Sequence, residues 1–155
     1  MNTVLDICNL ALEKLGEQHI DNVSPVSSPA SRQCSLRYHP VRRLTLCQVM
    51  PGFAKKTAQL KSSYSSFQLP NDALRILNVS QPEWTLRGRS IYVGEKVNAI
   101  NVEYIADVED VSLFDDNFCD AFSTALATEL CMPLTGSMST RQKLDSEYQS
   151  ILNNK

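Results

Sequence analysis

The chain has 155 residues, 43% of them hydrophobic and 21% charged, with 15 Lys and Arg against 17 Asp and Glu for a net charge of −2. A chain of this length buries on the order of 70% of its unfolded surface without help from disulfides or metal, which excludes disorder as its main state. No apolar run nears the roughly 18–20 residues of a bilayer span, and the first residues carry acids where a signal peptide needs a basic flank, so neither a membrane nor a secreted protein is expected.

Val4, Leu5, Cys8, Ala11, Leu12 and Leu15 recur at helical spacing and predict a first helix over residues 3–15. Thr3 can cap it with Asp6 three residues on, and Gly16 supplies a left-handed residue at its end. A polar, turn-rich stretch follows. Ser28-Pro29 then gives a cap and a first-turn proline for a second helix over residues 29–49. Its expected inner face is Cys34, Tyr38, Val41, Leu44 and Gln48 or Cys47, with a kink or break near Tyr38–Pro40, where a mid-helix proline removes a donor.

Met50-Pro51-Gly52 ends that helix, and the pattern changes to short extended runs, a β region placed at about residues 64–106. Strand candidates are residues 74–79, a hairpin of 85–86 with 90–93 across Arg87-Gly88-Arg89, and 99–105. In the last, Ile100, Val102 and Tyr104 alternate with outward Asn101 and Glu103.

Asp115 caps a third helix over residues 115–132, apolar on most of its circumference and therefore expected to be central, with Pro133 as its stop. A fourth helix over residues 139–153 carries Leu144, Tyr148, Ile151 and Leu152 on one face. The whole chain, residues 1–155, reads as one α+β domain: a bundle of about four helices with an inserted small antiparallel β-sheet or hairpin region.

Five cysteines, all in helical stretches and without a CxxC pair, read as buried thiols. His39 lies between Cys34 and Cys47, but that spacing fits neither a zinc finger nor a ribbon, and a solvated histidine beside helix-face thiols is the better reading. The five glycines are scattered singly, so there is no phosphate cradle. Neither His19 nor His39 sits in a nucleophile motif, and the acidic pairs Glu109-Asp110 and Asp115-Asp116 read as caps and helix-dipole partners. No enzyme, cofactor or metal site is expected.

Charge is the informative feature. Between Asp21 and Asp72 there is no acid, while Arg32, Arg37, Arg42, Arg43, Lys55, Lys56 and Lys61 give +7; the rest holds eight bases against seventeen acids, a balance of −9. Glu103, Asp107, Glu109, Asp110, Asp115, Asp116, Asp120 and Glu129 run with no base between Lys96 and Arg141. Such segregation suits an internal electrostatic contact, a surface for nucleic acid, or complementary faces joining subunits. Sequence-specific DNA binding is the weaker of these, since Tyr38 is the only aromatic among the bases of residues 32–43.

Five segments, in order, carry a resemblance: ICNLALEKLGEQHI (7–20), YHPVRRLTL (38–46), FAKKTAQL (53–60), FQLPNDALRILNV (67–79) and VEYIADVEDVSLFDDNFCDAFSTALATELCMPLTGS (102–137). Together the chain resembles the tail tubular protein A, or head-to-tail adaptor, family of short-tailed phages and related prophages. It departs from that family at Met50-Pro51-Gly52-Phe53-Ala54, where a tryptophan is usual before the Phe-Ala pair; the single tryptophan is Trp84.

The resemblance implies a non-enzymatic structural protein of the virion neck or tail, made in the host cytoplasm. It would form a ring of twelve copies, with helices toward the portal protein and the β region toward the tail nozzle protein. Tail fibres would be further neighbours, and genome DNA would pass nonspecifically through the lumen. The alternative is a DNA-binding or DNA-packaging accessory protein of a phage or prophage. In the ring, Arg42, Arg43, Lys55 and Lys56 of one subunit are expected to face Glu109, Asp110, Asp115 and Asp116 of the next, through a head-to-tail contact that closes when the rotation per copy divides a full turn.

Overall fold

The structure is a computed structural model in which residues 3–154 are described. Its order is helix α1 (Val4–Lys14), helix α2 (Pro29–Val49), strands β1 (Lys55–Lys61), β2 (Ser66–Gln68), β3 (Ala73–Val79), β4 (Trp84–Arg87), β5 (Ser90–Val93) and β6 (Ala99–Ala106), then helices α3 (Asp116–Thr135) and α4 (Met138–Asn153). This is the expected α+β class. The chain packs as two compact units: a helical one made of the residues up to Val49 and from Glu109 onward, and a β unit over Met50–Val108 inserted between them.

In the helical unit, α3 packs against α1, α2 and α4, the central position its all-round apolar character predicts. Local signals set the helix ends. The Thr3 hydroxyl accepts from the Asp6 amide while the Asp6 carboxylate accepts from the Thr3 amide, a complete capping box, and Gly16 closes α1 at φ +74°. Ser28, Asp115 and Ser137 accept from the amides of Ser31, Phe118 and Thr140 and so cap α2, α3 and α4. The Asn9 side chain exchanges two hydrogen bonds with the Ile20 backbone and so pins the loop after α1.

A break at Pro40 and a stop at Pro133 are both corrected: α2 runs unbroken through Pro40, and α3 passes Pro133 to end at Thr135. Each proline deprives one carbonyl, four residues earlier, of its partner. Leu36 and Glu129, which own those carbonyls, lie on exposed faces where water can take the bond. Gly136, at φ +68°, is the residue that ends α3.

The inner face of α2 is also corrected. Cys34, Tyr38 and Val41 are buried as expected, together with Thr45, Leu46 and Val49, but Leu44 is 58% exposed and Arg42 is fully buried. Cys8, Cys34, Cys119 and Cys131 are buried thiols and Cys47 is half-buried; none is in a disulfide. In α1 the buried stripe is Ile7, Cys8, Ala11 and Leu12.

The β unit holds two antiparallel three-stranded sheets, ordered β1-β6-β3 and β2-β5-β4. The predicted hairpin is present, closed by the two residues Gly88 and Arg89 with Gly88 at φ +59°, and β6 buries Ile100, Val102 and Tyr104 as expected. The β region begins earlier than the sequence suggests: β1 starts at Lys55 and pairs along β6 from Lys55–Ile105 to Lys61–Ala99. Phe67, Ile91 and Val93 from one sheet share a core with Val79, Ile100, Val102 and Tyr104 from the other. Arg89 fastens the hairpin turn by donating to the carbonyls of Ala73 at 2.7 Å and Pro70 at 2.6 Å.

Candidate interaction surface

The eight charged residues singled out from the sequence fall into different environments. Arg42 is 0% exposed; its Nε donates to His39 Nδ1 at 3.1 Å, and its Nη2 lies 3.7 Å from Glu109 of the same chain. It therefore cannot present its charge to a neighbouring copy, and this part of the expectation is corrected. The reason is geometric: Arg42 follows Tyr38 by four residues and shares its inward flank. His39 Nδ1 is also 3.7 Å from Glu109. One nitrogen cannot both accept from Arg42 and carry a proton toward a carboxylate, and the 3.1 Å bond is the closer, so the Arg42–Glu109 attraction is the one that ties this corner together.

Arg43, one residue on, is exposed, as is Lys55. Lys56 donates to Asp72 Oδ2 at 3.1 Å, so its charge is shared inside the β unit. Asp110 accepts from both the amide and the hydroxyl of Ser112 and Asp115 caps α3, yet both remain exposed along with Glu109 and Asp116. The two Ser112 bonds hold the Asp110 carboxyl below its ordinary range.

The acids surround an apolar residue that charge counting did not single out. Residues 109–116 contain one 3-10 turn, Val111–Leu113, in which Val111 is buried and which buried Phe114 follows, and Leu113 is 54% exposed. A second apolar surface lies on α2, where Leu36, Pro40 and Leu44 recur at a spacing of four. Leu36 is 63% exposed, and these residues form one wall of an open groove of about 500 Å³ between α2, α3 and α4. Thr45, Thr128 and Tyr148 lie in it, and Arg37 stands 3.7 Å from Glu129 on the opposite wall. The spacing of four was visible in the sequence; assigning Leu44 to the core concealed it.

Among the described residues no group of three His, Cys, Asp or Glu side chains converges as a metal site, and His19 pairs with Glu13 at 2.7 Å on an exposed surface. No helix among the described residues is long and apolar enough to cross a membrane.

In the β unit, Asp72 is the best-connected acid. Burial acts to raise its pKa, but bonds from Lys56 and from the Tyr104 hydroxyl, with the Lys56 charge, outweigh that and hold it below the ordinary carboxylate value. A lowered folded-state pKa stabilises above the unfolded value and is lost as pH falls through the folded one. Asp72→Asn is therefore expected to lower the stability of the β unit at pH 7 by less than about 1 kcal/mol, with the gap to wild type closing as acid protonates Asp72 in the folded chain. Urea midpoints read by Trp84 fluorescence at pH 7 and along an acid series check this.

No protein-family description matches this chain, and no characterised protein matches it by sequence. The functional reading therefore rests on the residues and their geometry, together with the ordered segments quoted above.

Proposed function

We propose that this chain is a structural phage virion protein, a head-to-tail adaptor that assembles as a ring between the portal protein and the tail nozzle protein and lets genome DNA pass. The observation that supports it most is the division of the helical unit's surface. One exposed face joins Leu36 and Leu44 to Arg32 and Arg43, and a separate fixed turn joins Leu113 to Glu109, Asp110, Asp115 and Asp116. Two unlike patches on one subunit suit a head-to-tail contact between copies, which closes as a ring.

The alternative, a DNA-binding or DNA-packaging accessory protein, draws on the same basic block but is weakened by its distribution. Of the seven bases, Arg42 is buried and Arg37 and Lys56 face acids of their own chain. Fluorescence anisotropy with duplex DNA, beside co-sedimentation with a portal ring, separates the two. The adaptor reading expects portal binding and little DNA binding. Tight duplex binding that falls steeply with salt, without portal binding, would contradict it.

A further inference from the structure

We propose that the outward face of α2, Leu36 and Leu44 flanked by Arg32 and Arg43, is the docking surface for residues 109–116 of a second copy of this chain, with Leu113 entering the groove beside Leu44. This deepens the ring reading and takes from it the premise that copies of the chain meet.

Three leucines among the described residues of the helical unit stand in solvent: Leu36 at 63%, Leu44 at 58% and Leu113 at 54%. Their surroundings are opposite in charge. Neither the Arg32 nor the Arg43 side chain has a hydrogen-bond or ion-pair partner among the described residues, and both are exposed beside the leucines of α2. Leu113 is flanked in sequence by four exposed acids, Glu109, Asp110, Asp115 and Asp116, in a stretch that has no base from residue 97 to residue 140. Across the groove Glu129 is faced by Arg37 while Asp145 lines the α4 wall, so the unpartnered positive charge that an entering acidic turn can meet lies on the Arg32–Arg43 side of α2. An acidic turn with an apolar tip and a cationic face with an apolar stripe match in both respects, which selects a second copy as the occupant.

The donor turn is already rigid. Asp110 holds Ser112 by two bonds, and Phe114 anchors the other end against Phe118 and Phe122, with ring centres 4.8 Å and 6.2 Å away. Little ordering is therefore needed on docking. The turn's own chain does not use it this way: Glu109 meets α2 on the flank of His39 and Arg42, and Leu44, beside the groove, lies more than a third of a turn round the helix from that flank at 100° per residue. The two patches face different ways, so the contact passes from copy to copy and does not pair two copies symmetrically.

Cysteine cross-linking tests this. In a Cys47→Ser background, protein carrying Leu44→Cys is mixed with protein carrying Leu113→Cys, and copper-phenanthroline supplies the oxidant for the disulfide. The mixture is expected to yield a disulfide dimer, the double variant a ladder of higher oligomers, and each single variant alone several-fold less product. Arg43→Glu should reduce the dimer yield several-fold. A yield no higher than that of a Val26→Cys control, in protein that still binds the portal, overturns this docking surface and leaves the ring reading standing. A Leu44–Leu113 disulfide in protein that fails to bind the portal does the reverse.

Discussion

Replacing Arg42 by glutamate is expected to unfold the helical unit, at a cost above about 4 kcal/mol, whereas Arg43→Glu, one residue further, changes stability by no more than about 0.5 kcal/mol. Arg42 is fully buried and its guanidinium lies 3.7 Å from Glu109, so the reversal buries an acid, leaves it next to another, and removes the donor to His39. Arg43 is exposed and its side chain has no partner among the described residues, so its reversal acts on what the surface meets and leaves the packing unchanged. Urea denaturation followed by helical circular dichroism measures both. A midpoint for Arg42→Glu equal to wild type would mean that the buried position is wrong. Arg42→Met, which keeps the aliphatic volume without the charge, should fall between them.

Phe122→Ala is the second large effect, with an expected loss of about 3–5 kcal/mol. Phe122 is fully buried on α3, with ring centres of Tyr38 at 5.0 Å, Phe118 at 5.7 Å and Phe114 at 6.2 Å, so one truncation opens a cavity where α2, α3 and the segment before α3 meet. The surrounding rings are held by α2, α3 and the turn before α3 and cannot collapse fully into the space. Phe122→Leu keeps most of the volume and is expected to cost less than about 1.5 kcal/mol. Urea midpoints with an unchanged slope check both variants, and a loss below about 1 kcal/mol for Phe122→Ala would contradict the central place of this cluster.

How much of this was legible in the sequence depends on how local each cause is. Thr3 with Asp6, Ser28 before Pro29, and Asp115 mark helix starts because a cap needs only its own first turn. The alternation in β6 is readable because its two faces differ so strongly. Pro40 misleads because the cost of a proline depends on whether the orphaned carbonyl is wet, which is a tertiary fact. β1 is hidden for a related reason. Lys55, Lys56 and Lys61 dominate a strand in which only Ala58 and Leu60 turn partly inward, and that composition suits a sheet edge, where charge deters pairing with other chains.

The candidate surface was half legible for the same reason. Charge segregation pointed to the two stretches of chain that carry the proposed surface, but residue type misassigned the individual side chains. Arg42 looked like surface and Leu44 like core, and the helix turns them the other way. Leu113 went unnoticed because one leucine among four acids has no periodicity to report it; its exposure follows from Val111 and Phe114 being the residues that point inward. The acids retain their local roles, Asp110 in the turn and Asp115 as a cap, while keeping their charge at the surface.

The central proposal is that this chain assembles as a ring on the portal protein. Native mass spectrometry of the protein mixed with a portal ring tests it most directly. The account predicts a complex carrying as many copies of this chain as the portal has subunits, twelve for a twelve-fold portal, with Arg43→Glu giving incomplete rings. A single copy or none per portal, at protein concentrations well above those of the portal, would contradict it.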